Sequence, residues 1–206
     1  MRRGKDIKRG RKEIPAKRKF VVFTEGKNTE PMYLAALGEK YRRNLAEIEI
    51  VKGAGTPMTI KKRAKERLPR RGRRQSSFEE NDKIWAMFDR DEHPDVNRAI
   101  QECTDAGIGV AFSDPCFEVW LVLHYEEFDQ CVDRHAVIKE CEKVCPSYER
   151  KDGKRLNAHD VIKHLEFAEN RAETQHIRRK AQGSPLTAPF TTVYEFTRAF
   201  RKSPKV

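Results

Sequence analysis

Four short apolar runs, each closed by a turn and separated from the next by a segment of helical pattern, leave this chain few architectures. Phe20-Val21-Val22-Phe23-Thr24 ends at Glu25-Gly26, and Ile48-Glu49-Ile50-Val51 ends at the loop Gly53-Ala54-Gly55-Thr56-Pro57. Lys83-Ile84-Trp85-Ala86-Met87-Phe88 ends at Asp89, and Ile108-Gly109-Val110-Ala111-Phe112 follows. Runs of this length, bounded by turn residues, read as buried strands. Between them, Asn28 and Thr29 offer N-cap oxygens ahead of Glu30-Pro31 and a helix to about Tyr41. A basic helix is expected over residues 57–68 and another helix over 94–106. Strand and helix in alternation predict βαβ units around a parallel sheet. Beyond Phe112 the pattern turns helical, over 116–125, 132–144, 158–180 and 189–200. The expected fold class is α/β: a parallel-sheet core over 18–115 with helices on both faces, completed as one domain by a mostly helical part, 116–206. Residues 1–17 hold Gly4, Gly10 and Pro15 and almost nothing apolar, and read as a disordered basic arm.

Charge is distributed unevenly. The net charge is +11, yet residues 1–19 alone hold ten Lys/Arg against Asp6 and Glu13, and 61–74 hold nine against Glu66. Everything else is mildly acidic. Basic stretches attract phosphate backbones by releasing counterions, so nucleic acid is the expected partner. Within the second stretch, Lys61, Lys62, Arg63, Lys65 and Arg67 are the candidate phosphate contacts. Acid clusters inside such a protein need another reason, and a metal site supplies one. No apolar run approaches the roughly 18 residues of a membrane span, and no apolar h-region follows the basic N-terminus. A membrane partner is therefore not expected. Five cysteines without a Cys-x-x-Cys pair read as reduced thiols, which places the protein in the cytoplasm. There is no Gly-x-x-x-x-Gly-Lys loop, so any ATPase involved must be a partner.

Two of the strands end in acids. Glu25 closes the first, with Gly26 allowing a sharp turn. Asp89 and Asp91 close the third, and acids one residue apart share a side of an extended chain. Open α/β sheets bind ligands at the carboxyl ends of their strands, which would bring Glu25 toward that pair. Converging carboxylates repel one another unless a cation neutralises them, and oxygen ligands of this kind suit Mg²⁺ or Mn²⁺. Cys131, His135, Cys141 and Cys145 offer zinc-type donors, but at no standard spacing. Trp85 and Trp120 read as core, and His124 as the end of a helix.

Three stretches carry a resemblance. Phe-Thr-Glu-Gly-Lys-Asn-Thr-Glu-Pro-Met-Tyr-Leu at 23–34, Met-Phe-Asp-Arg-Asp at 87–91 and Ser-Asp-Pro-Cys-Phe-Glu-Val-Trp-Leu-Val-Leu-His at 113–124 resemble the RloB-like family. That family belongs to the Toprim superfamily of topoisomerases, primases and overcoming-lysogenization-defect nucleases. The likeness covers about residues 18–200 and departs from the family pattern at Asp114, where Asn-Pro is usual. It implies that Glu25 is the Toprim glutamate, a metal ligand or general acid/base, and that Asp89 and Asp91 hold Mg²⁺. Glu30 falls in a second acidic position of the nuclease-like members, and Glu118 and His124 fall within the group's own motif. The implied activity is metal-dependent cleavage of RNA such as tRNA, or of DNA, in bacterial defence against phage, with Lys27 contacting the scissile phosphate. Two alternatives remain open. One is a non-catalytic nucleic-acid-binding subunit of an ATPase-containing defence complex. The other is a primase-like nucleotidyl transferase, for which no nucleoside triphosphate site is evident.

Overall fold

The computed structural model describes residues 18–68, 82–90, 93–151, 155–183 and 188–203. The arm read at 1–17, the end of the basic stretch 61–74 and Asp91 lie outside the described residues. The element order is β1 (Arg18–Thr24), α1 (Thr29–Lys40), β2 (Ala46–Val51), α2 (Pro57–Arg67), β3 (Lys83–Asp89), α3 (Val96–Asp105), β4 (Gly109–Asp114) and α4 (Glu118–Leu123). Then come α5 (Arg134–Val144), β5 (Tyr148–Glu149), β6 (Arg155–Leu156), α6 (Ala158–Val161), a 3-10 turn (Ile162–His164), α7 (Leu165–Ala181), β7 (Phe190–Thr191) and α8 (Val193–Arg201).

The sheet order is β2-β1-β3-β4-β7, with β1 parallel to β2 and β3, β3 parallel to β4, and β7 antiparallel at the edge. Side chains alternate between two cores, as the pleat requires. Phe20, Val22, Met87 and Ala111 face a large core with α1, α4, α5, α7 and α8. Val21, Phe23, Ala86, Phe88 and Phe112 face a smaller one with Ile60 and Ala64 of α2 and Ala99 and Cys103 of α3. Both faces of β1 and β3 are covered, which is why their sequences are continuous apolar runs rather than alternating ones.

Local signals explain several boundaries. α2 starts where Thr56 Oγ1 accepts from the Thr59 amide and Pro57 takes the first turn. α5 starts where Asp133 Oδ1 accepts from the Ala136 amide at 2.9 Å. Asn28 stands at the N-cap of α1 but makes no side-chain cap bond there.

The C-terminal part departs from expectation. The segment read as a helix over 189–200 opens with β7, whose pairing covers the edge that β4 would otherwise leave bare. The Phe190 and Phe112 rings lie 6.5 Å apart across that edge. The helix read over 158–180 is broken by the 3-10 turn, and the β5–β6 hairpin was not anticipated. Among the described residues no helix is long and apolar enough to cross a membrane.

A carboxylate cleft at the strand ends

The chain reverses direction across the sheet between β1 and β3: β1 leads through α1 to β2 on one side, and β3 leads through α3 to β4 on the other. Such a switch point opens a crevice beyond the carboxyl ends of the two strands. Glu25 follows β1 and Asp89 ends β3, so both acids stand at that crevice. The Asp89 amide donates to Glu25 Oε2 at 3.3 Å, and Glu25 Oε1 lies 3.0 Å from His93 Nε2. Both oxygens of Glu25 are thereby oriented.

Glu30 joins them from the first turn of α1. The Gly26 amide donates to Glu30 Oε1 at 3.0 Å, and a Cβ added at Gly26 would sit 2.1 Å from Glu30 Oε2. Glycine stands here because the carboxylate needs the space, not because of an unusual φ. From the other side comes Glu118, first residue of α4 and only 1% exposed. It accepts a hydrogen bond at 2.7 Å from the hydroxyl of Tyr148 on β5. The Phe117 amide, one residue earlier, donates to the Asp89 carboxylate.

Glu25, Gly26, Glu30, Asp89, Phe117 and Glu118 line a cleft of about 170 Å³ together with Lys27 and Arg134. Burial first, and then repulsion from Glu30, Glu118 and Glu25, hold the Asp89 carboxyl well above its ordinary range. Four acids against two lining cations leave an excess of negative charge on oxygen-only donors, a chemistry that fits Mg²⁺ or Mn²⁺. Among the described residues no three His, Cys, Asp or Glu are grouped closely enough to hold one metal ion. Asp91, the further ligand expected from the sequence, lies outside them.

The basic residues of α2 stand apart from the cleft. Lys61 pairs with Glu102 and Arg67 with Glu49, each at 2.6 Å. Lys62, Arg63 and Lys65 are exposed. His124 is buried between Tyr33 Oη at 3.1 Å and the Trp120 carbonyl at 2.8 Å, and burial pushes its imidazole down to about 3. It is a neutral packing residue at the end of α4, while Glu118 six positions earlier is in the cleft. Asp114, the departure from the family pattern, is buried and paired with Arg90. Cys131 is exposed whereas Cys141 and Cys145 are buried, and no metal group forms from them. Three participants escaped sequence reasoning. His93 could have been suspected from its place just past the Asp89-x-Asp91 pair in the sequence; Tyr148 meets Glu118, and Arg134 the cleft, only through the fold.

Comparison with known proteins gives one family: the model described as RloB-like protein matches residues 20–200. No curated protein and no solved structure matches the chain.

Proposed function

The chain belongs to the RloB-like protein family, and from that premise we propose that it is a divalent-metal-dependent endonuclease on a Toprim-type core. The observation that carries this reading is the convergence of Glu25, Glu30, Asp89 and Glu118, from four separate segments, on one cleft at the switch point of the sheet. A protein that only binds nucleic acid gains nothing from acids that repel both one another and the phosphate.

Asp89 and Glu25, with Asp91, would hold the metal, which when bound neutralises phosphodiester charge and lowers the pKa of a bound water. The reaction adds water across one P–O ester bond. The water oxygen bonds to phosphorus, the departing oxygen keeps the electron pair, and the proton lost by water is matched by the one the leaving oxygen gains. Glu25, whose two oxygens are oriented by the Asp89 amide and His93, would take that first proton. Glu30 and Glu118 are held in the cleft wall by the Gly26 amide and the Tyr148 hydroxyl. The exposed Lys62, Arg63 and Lys65 would bind phosphates away from the cut. Phage defence is part of the same proposal, by membership of the family, whereas an ATPase partner belongs to the alternative of a binding subunit.

Incubation with labelled tRNA, single-stranded DNA and plasmid tests it, with Mg²⁺, Mn²⁺ or EDTA and with Glu25→Ala and Glu118→Ala alongside. Cleavage that needs the metal is expected, with at least a 10²-fold loss in each variant. Salt-sensitive binding without cleavage under any of these metals, unchanged in the variants, would replace the nuclease by a binding subunit.

Gly26→Ala separates site geometry from folding. The added methyl meets the far end of the Glu30 side chain, which can swing away, so the melting temperature should move by no more than about 2–4 °C. The cleavage rate should fall by about 10²-fold, the usual result of displacing a catalytic group by about 1 Å. Full activity in this variant would remove Glu30 from the catalytic set.

A further inference from the structure

We infer that Arg134 is the residue with which this cleft grips the substrate phosphate, so that the helical C-terminal part contributes directly to the chemistry rather than only supporting the sheet. This rests on the nuclease reading and assigns it a residue. A phosphodiester entering the cleft meets carboxylates from β1, α1, β3 and α4. Its non-bridging oxygens need positive charge from the protein as well as from any metal, and the described lining offers two sources, Lys27 and Arg134.

They differ in kind. Lys27 is exposed, with its stem lying against Gly53, where an added Cβ would stand 3.0 Å from Lys27 Cγ. It offers a compact point charge on an exposed residue. Arg134 is half-buried and is the first residue of α5, a helix anchored by the Asp133 cap and by buried Val137, Ile138 and Cys141. α5 packs on α4, which carries Glu118, so the backbone that carries Arg134 is held in fixed relation to the acid wall. Arg134 already makes a contact within the folded chain. The Glu118 carboxylate also accepts a hydrogen bond from Tyr148. A planar guanidinium in a partly desolvated cleft presents two parallel donors to two phosphate oxygens, which an ammonium group cannot do.

The experiment uses the full chain and whichever of the three nucleic acids it cleaves. Binding is measured against salt with Ca²⁺ in place of Mg²⁺, and cleavage with Mg²⁺, for wild type, Arg134→Ala, Arg134→Gln and Arg134→Lys, each checked by thermal melting. The Ala and Gln variants should lose about 10²–10³-fold in kcat/KM, the scale for removing one charge-stabilising donor. The slope of log affinity against log salt should also become shallower by about 0.7–0.9, the share of one phosphate contact. Arg134→Lys should restore the slope and leave most of the rate deficit. Wild-type rate and slope in the Ala and Gln variants would overturn the assignment, as would a rate loss with an unchanged slope, which marks a residue acting only on its neighbours. A wild-type protein that neither binds nor cleaves would instead strike down the nuclease reading, and this inference with it.

Discussion

Asp89→Asn is expected to abolish metal-dependent cleavage while making the metal-free protein more stable. The two effects have one cause. Asp89 is desolvated and faces Glu30, Glu118 and Glu25, all of which disfavour its charged form. In the absence of a cation that charge opposes folding, and an amide of the same shape removes the opposition. Relief of this sort typically adds about 0.5–2 kcal/mol, or roughly 1–8 °C in a chain of this size. The amide cannot replace an anionic ligand, so the rate should fall by at least about 10³-fold. Divalent metal should raise the melting temperature of wild type and leave that of the variant nearly unchanged.

The pH dependence has a definite sign. The folded-state pKa of Asp89 is raised above the unfolded value near 3.8, so its proton is held more tightly in the folded chain. Its stabilising contribution is complete below the unfolded value and is lost as pH rises through the folded one. Metal-free wild type should therefore lose stability relative to Asp89→Asn as pH climbs across that interval. Parallel melting curves for the two proteins from acid to neutral pH would show that Asp89 carries no such strain, and would weaken the case for a cation there.

The strand-end acids were legible because their signals are local. A buried run followed by Glu25-Gly26, or by Asp89, announces a strand that terminates in a carboxylate. The crevice that makes them a site comes from the order β2-β1-β3-β4, which no local pattern encodes. Glu118 entered through the resemblance, since an acid in an otherwise apolar helix has no distinctive spacing. Its partner Tyr148 lies 30 residues away, and His93 lies 68 from Glu25, so neither pairing has a sequence signature. Strands β5, β6 and β7 have two residues each, too few for alternation to register. The break before α7 was hidden because apolar residues keep helical spacing through Ile162 and Leu165. The basic helix was read correctly as a helix, yet two of its five cations proved to be paired with acids distant in sequence.

The largest loss of stability is expected from an acid that sequence patterns assign to no role. Glu169, in the second turn of α7, is fully buried. It accepts from Thr197 Oγ1 at 2.9 Å and from Arg201 Nη2 at 2.6 Å, and pairs with Arg198 Nε at 3.5 Å, so it ties α7 to α8 beneath the large core. Removing one member of a buried charge cluster leaves the others desolvated, which costs about 3–5 kcal/mol. Glu169→Ala should fall at the lower end of that range, because both arginines are partly solvated and keep second partners, Arg198 with Glu173 and Arg201 with Glu166. About 3 kcal/mol corresponds to a drop in melting temperature of roughly 6–12 °C. Glu173→Ala removes an acid from the same arginine at the surface, where an ion pair contributes no more than about 1 kcal/mol. Thermal melts of the two variants compare burial with charge directly. If Glu173→Ala proves as damaging as Glu169→Ala, the stabilisation resides in the surface pair, and the buried carboxylate is not what joins the two helices.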